Sequence, residues 1–158
     1  MKTTFEPENA KFQFGKDIIG WRERIALPEL GIHEMKAKID TGARTSALHA
    51  LYLKAEFHND EKWISFHVPH LGEHRDVRHR ARVFDERPIK NTSGVPQVRY
   101  IVRTSLIIGD RMWQIELSLT DRDKMKHDLI LGRTALKRHS LLVASNKSFL
   151  AGPPVQMT

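Results

Sequence analysis

Lys38-Ile39-Asp40-Thr41-Gly42-Ala43-Arg44-Thr45-Ser46 sets one small acid between an apolar strand and a glycine turn. From Met35 to Ile39 the sequence alternates, so Met35, Ala37 and Ile39 share one face of a strand that stops abruptly at Asp40. Gly42 permits a backbone geometry and a close approach that a side chain would block. Asp40 alone reads in two ways, as an Asx turn closing a strand or as half of a catalytic carboxylate pair. One carboxylate does little chemistry, so the choice depends on the rest of the chain.

Outward from this stretch the apolar pattern is that of strands. Ile18 to Trp21, Trp63 to Val68, Gln97 to Val102, Ser105 to Ile108 and Trp113 to Leu119 are short, β-branched or aromatic, and partly alternating. Gly109-Asp110 reads as a hairpin turn, and Asn91-Thr92-Ser93-Gly94 as the tip of a second hairpin. Only Arg133 to His139, just after a glycine, argues for a helix. The pattern predicts an all-β closed barrel with one short C-terminal helix. Residues 1–16 read as a loose arm, 17–151 as the domain, and 152–158, with Gly152-Pro153-Pro154, as an irregular tail.

Composition narrows the chemistry. A chain of 158 residues fits one core, hence one lobe. The absence of cysteine excludes disulfides, thiolate zinc sites and a cysteine nucleophile. With no apolar run of signal-peptide or membrane-spanning length, the expectation is a cytoplasmic protein with no membrane partner. Lys and Arg outnumber Asp and Glu by 26 to 19, a net charge of +7, which favours an acidic partner such as nucleic acid, the ribosome or an anionic peptide.

Downstream, Asp128-Leu129-Ile130-Leu131-Gly132-Arg133 is a second apolar strand that ends at a glycine and enters the helix. The two segments together resemble the two halves of a retropepsin-like aspartic protease lobe. The likeness extends through Gly20-Trp21-Arg22-Glu23, LPELGIHEMKAKIDTGARTSALHA, Asn91 to Gly94, Leu119 to Met125 and LILGRTAL, about residues 17–150. In these the chain resembles the bacterial family known as ATP-dependent zinc proteases, which is retropepsin-like and often occurs beside ATP-grasp ligases that add amino acids to protein tails. Neither a Gly-x-x-x-x-Gly-Lys-Ser/Thr phosphate loop nor a His-Glu-x-x-His helix is present in the sequence.

The resemblance implies a mechanism. Two carboxylates at about 3 Å share one proton, so one activates water while the other hydrogen-bonds the scissile carbonyl. The chain carries one such Asp, so the second would come from another copy across a two-fold axis, making a homodimer. On this reading Asp40 is base and acid, the Thr41 hydroxyl braces the paired turns and Gly42 lets them approach. Leu131, Gly132 and Arg133 form the support beside the turn. Asn91, Thr92, Ser93 and Gly94 form a flap over substrate, and Ala43, Arg44 and Thr45 complete the substrate site. Arg44 stands where such enzymes usually have a small or acidic residue, and a guanidinium there suits a substrate carboxylate. The expected substrate is an acidic peptide or a glutamate-rich protein tail, with no cofactor.

Two rival readings use other residues. His67, His70, His74 and His79 lie in HVPHLGEHRDVRH, and imidazoles are common zinc ligands, so a zinc-dependent peptidase is one alternative. The spacing matches no closed zinc site, and with Arg75, Arg78, Arg80 and Arg82 nearby the segment reads rather as a solvated basic hairpin. The other alternative is a catalytically silent module that holds RNA, the ribosome or an acidic partner on that basic run. Trp21, Trp63 and Trp113 read as packing residues, and Thr45 and Ser46 as hydrogen-bonding residues after the turn, since neither has an oriented base.

Overall fold

A computed structural model of the chain describes residues 17–90, 94, 96–122 and 126–156. Ten strands follow one another as β1 Ile18–Leu27, β2 Ile32–Ile39, β3 Ser46–His49, β4 Leu51–His58, β5 Glu61–His67, β6 His79–Lys90, β7 Pro96–Ile108, β8 Arg111–Thr120, β9 Leu129–Leu131 and β10 Leu142–Ser148. One helix, α1 (Arg133–Leu136), runs into a 3-10 turn over Lys137–His139. The sheet order is β10-β1-β2-β9-β3-β8-β7-β6-β5-β4, and β1 also pairs with β7 through Ile25↔Ile108 and Ala26↔Ile107. That pairing returns the strand circuit to β1.

The site is positioned by the threading of β9. This short strand runs parallel to β2 (Ala37↔Leu129, Ile39↔Leu131) and antiparallel to β3 (Ala47↔Ile130, Leu48↔Leu129). Flanked on both sides, it is apolar at every position, as a strand without a solvent face should be, and Leu129 and Leu131 are fully buried. In β2 the alternation seen in the sequence sends Met35, Ala37 and Ile39 inward and leaves Lys36 and Lys38 exposed. Ile25, Leu48, Phe66, Val102, Leu106 and Leu117 complete the core against them.

Several elements differ from the sequence pattern. The runs 97–102 and 105–108 are one continuous strand, because Arg103 and Thr104 keep their places in the ladder opposite Glu116 and Ile115. β3, β4 and β10 carry too little alternation to stand out, and tertiary pairing forms them. The turn at Gly109-Asp110 closes Ile108 against Arg111, with Gly109 at φ 59°. At the second hairpin the backbone pairs Lys90 with Pro96 and Gly94 is exposed at φ 75°. Asn91, Thr92 and Ser93, and the arm 1–16, lie outside the described residues. Up to Gln156 the tail has no regular element and is held in place, since Pro154 is buried and the Val155 N–H donates to the Gly109 carbonyl at 2.8 Å. No helix among the described residues is long and apolar enough to cross a membrane.

Candidate active site at the Asp40 turn

Asp40 follows β2 directly. Its backbone N–H donates to the Leu131 carbonyl at 2.9 Å, continuing the β2–β9 ladder by one rung. The carboxylate folds back to accept the Gly42 N–H on Oδ1 at 3.0 Å, and the Asp40 carbonyl accepts the Ala43 N–H at 3.2 Å. The Asx turn and the proposed catalytic position are therefore the same structure. Asp40 is partly buried, whereas Thr41, Gly42, Arg44 and Thr45 are exposed.

The support comes from the start of α1. Arg133 Nη1 donates to the carbonyls of Thr41 (3.0 Å) and Gly42 (3.1 Å), and its backbone N–H donates to Ala43 (2.8 Å). Thr134 donates twice to the Arg44 carbonyl, from its N–H at 3.1 Å and its hydroxyl at 2.9 Å. Ser46 Oγ accepts the Gly132 N–H at 3.0 Å. A Cβ on Gly132 would meet the Thr45 carbonyl oxygen at 2.5 Å and that of Ala43 at 2.9 Å, so glycine is required by backbone contact. Among the described residues, no ion pair joins the Arg44 guanidinium to Asp40. Arg44 meets the support through its carbonyl.

Beside the turn lies a cleft of about 210 Å³, lined by Thr45 and Ser46, by Thr134, and by Arg87 and Arg99 from the stem of the second hairpin. Arg87 and Arg99 sit directly opposite each other in the β6–β7 ladder. Burial, and secondarily the nearby Arg122, pulls the Arg99 pKa below its ordinary value. These cations were not singled out by the sequence, where each is one arginine among many; only the strand register brings them to one place.

The histidines scatter. His67 is buried, its Nδ1 3.1 Å from the Val77 carbonyl and its ring stacked on Tyr52. His70 Nδ1 lies 2.6 Å from the buried Asp128, and His74 pairs with Asp76 at 3.1 Å. His79 is buried against the Leu30 carbonyl at 2.8 Å. Arg75, Arg78, Arg80 and Arg82 are exposed, as expected of a solvated basic hairpin, whereas His67 and His79 at its flanks are buried in the ladder. His67, His70 and His74 serve three separate partners, and among the described residues no three His, Asp or Glu side chains gather as a metal set. The alternative of a zinc site on His67, His70 and His74 does not fit the places these side chains take among the described residues.

An Asp-Thr-Gly turn fed by one strand, with a second strand threaded beside it and leading through Gly-Arg into a helix, defines the retropepsin-like aspartic peptidase class. The chain belongs to the RimB-like family, described as the retropepsin-like aspartic endopeptidase RimB, whose model matches residues 18–154. A probable alpha-L-glutamate ligase of Parasynechococcus marenigrum is 42% identical over 123 residues, 77% of this chain and 26% of the ligase. One from Shewanella pealeana is 37% identical over 139 residues, 87% of this chain and 30% of that protein. The chain therefore spans between a quarter and a third of these curated relatives. A Legionella pneumophila protein of unknown function shares the fold, with a TM-score of 0.70 at 24% identity, covering 85% of this chain and 97% of that one.

Proposed function

We infer that the chain is an aspartic-type peptidase that works as a homodimer and hydrolyses amide bonds in an acidic peptide or glutamate-rich protein tail. The observation that carries this reading is the Asp40 turn, an exposed loop clamped from behind by Arg133, Thr134 and Ser46, with its carboxylate at the end of β2. One chain offers one such carboxylate; a second copy would supply the other.

With one proton shared between the two, the ionised carboxylate removes a proton from water as its oxygen attacks the amide carbon. The protonated partner hydrogen-bonds the carbonyl oxygen. Collapse of the tetrahedral intermediate breaks the C–N bond, and the departing nitrogen takes up a proton from the dyad. The products are a carboxylic acid and an amine, and no metal or nucleotide enters the balance.

An acidic substrate is supported by the +7 charge of the chain and by Arg87, Arg99 and Arg44 near the turn. It is also supported by relatives named as glutamate ligases, in which a segment similar to this chain accompanies the remaining two thirds or more of the protein. A peptidase beside a ligase would reverse or trim what the ligase adds.

The test is hydrolysis of an oligoglutamate-tailed peptide by wild type and by Asp40→Asn, each with and without a chelator. Cleavage should survive chelation and fall roughly 10²–10⁴-fold in the variant, the range for loss of a positioned acid–base group. Cleavage abolished by chelation, or unchanged in Asp40→Asn, removes the dyad. Arg44→Ala should narrow the preference for acidic over neutral peptides; an unchanged preference excludes Arg44 from substrate choice.

A further inference from the structure

Apart from the cleft at Thr45, a groove of about 480 Å³ lies on the outer face of β1 and β2. Its floor is set by register. Arg22 lies directly opposite Lys38, and Arg24 opposite Lys36. Residues opposite one another share a face of an antiparallel pair, and like charges so placed oppose folding. The chain nonetheless puts four cations in one block by register, and three of them, Arg22, Arg24 and Lys36, line the groove together with Lys126. Glu34 and Asp128 also line the groove, but Asp128 is buried and its carboxylate is committed to His70, accepting the His70 backbone N–H and lying 2.6 Å from His70 Nδ1. Glu34 stands at the far end, beyond Lys36.

The block is held in place by aromatic rings. Arg22 lies over Trp21 at 4.8 Å, and Arg22, Arg24 and Lys36 surround the ring of Phe149 at 5.1, 5.0 and 5.9 Å. Phe149 is itself fixed. Its N–H donates to the Arg22 carbonyl, and the next two N–H groups, of Leu150 and Ala151, donate to the fully buried Glu23 carboxylate at 2.9 and 3.1 Å. Glu23 points to the core from between Arg22 and Arg24, so one strand anchors the ring from inside and presents the guanidiniums outside. His127, edge-on to Trp21, stays below its ordinary pKa of 6.5 through burial and then the fields of Arg22, Lys38 and Lys36.

We propose that this cation ladder holds the carboxylates of an extended acidic peptide on its way to the Asp40 turn, making Arg22, Arg24, Lys36 and Lys38 the positioning residues for the substrate. Three observations favour this occupant. Lys38 is two residues from Asp40 and pairs with Ile130 of the threaded strand, so β2 leads from the groove at Lys36 toward the turn. Along β2 the cations recur every second residue, about 6.6 Å apart, which is also the spacing of same-side groups on an extended peptide. The rings of Phe149 and Trp21 already carry cations, with which a stacking base would have to compete. The assignment rests on the peptidase reading for its direction toward Asp40, although binding can be tested without it.

The full-length Asp40→Asn chain would be titrated with fluorescent α-linked hexaglutamate, with hexaglutamine and with a hexauridylate. Hexaglutamate should bind best, and Arg24→Gln/Lys36→Gln in the same background should weaken it roughly tenfold. The conservative exchange Arg24→Lys/Lys36→Arg should restore binding, and bound hexaglutamate should raise the His127 pKa in an NMR titration by neutralising the field around it. In the active chain, the glutamine pair should raise KM and leave kcat in place. Equal affinity in the glutamine pair, or tighter binding of the uridylate, overturns the proposal. If wild type cleaves hexaglutamate and the glutamine pair leaves KM unchanged, the groove fails while the peptidase reading stands. If the groove binds hexaglutamate and wild type never cleaves it, the peptidase reading fails and the anion groove stands.

Discussion

Gly132 and Ser46 together fix the end of β9 against the segment that follows Asp40. The glycine lets the carbonyls of Thr45 and Ala43 pass close to its Cα, and the serine hydroxyl satisfies its buried N–H. Gly132→Ala should therefore push the turn outward and cost about 1–3 kcal/mol of stability as an overpacked contact, with a larger proportional loss of peptidase activity. Ser46→Ala should cost about 1–3 kcal/mol by stranding the Gly132 N–H. Denaturant midpoints measured beside hydrolysis rates check both, and an alanine at 132 with wild-type stability would remove the close-contact account. His127 tests its burial and the field of Arg22, Lys38 and Lys36 together. Its depressed pKa means that the unfolded chain takes up the proton first as pH falls. Its contribution to stability is thus intact above about 6.5, declines as pH drops from there toward the folded value, and then levels off. Between pH 7.5 and 5, wild type should lose more thermal stability than His127→Gln; the reverse order would contradict this burial and field.

Among the elements, the β1/β2 ladder trades stability for charge. If Arg24 and Lys36 repel across the strands, Lys36→Gln should stabilise the chain by about 0.2–1 kcal/mol, visible as a higher melting temperature at low salt that converges with wild type at high salt. A lower melting temperature would mean that the stem of Lys36 packs on Phe149 more than its charge repels. This ladder also marks where the sequence stops being legible. Asp40 to Gly42 and Leu129 to Gly132 stand out because each couples an apolar run to a glycine, and both signals are local. Lys36 and Lys38 look like a solvated face, as alternation requires, and nothing local tells that Arg22 and Arg24 will lie across from them. The same holds for Arg87 and Arg99, and for His79, whose arginine neighbours hide its burial. β10 is illegible for a related reason: Leu142 to Ser148 is polar, and it forms as the parallel partner of β1 more than a hundred residues away in sequence.

For the whole molecule the question is whether one chain contains a working site. Asp40 begins an exposed turn that Arg133 braces from within the chain, and the proposed chemistry needs two such carboxylates within a shared-proton distance. In a two-fold dimer both come from the same position, so a single inactive chain should silence a whole dimer. If wild type and Asp40→Asn are unfolded together and refolded in equal amounts, partners are drawn at random, and about one quarter of the dimers carry two intact carboxylates. Total activity should then be about one quarter of that of the same amount of refolded wild type, and should follow the square of the wild-type fraction across a mixing series. Dilution should act in the same direction, lowering the rate per chain once the concentration drops below the dimer dissociation constant. A rate that instead follows the wild-type fraction linearly, about one half in the equal mixture, would place a complete site in each chain and leave Asp40 without its partner. The curvature of the mixing series therefore tests the dyad directly, because loss of fold, loss of substrate binding or loss of a metal within one chain would all give the straight line.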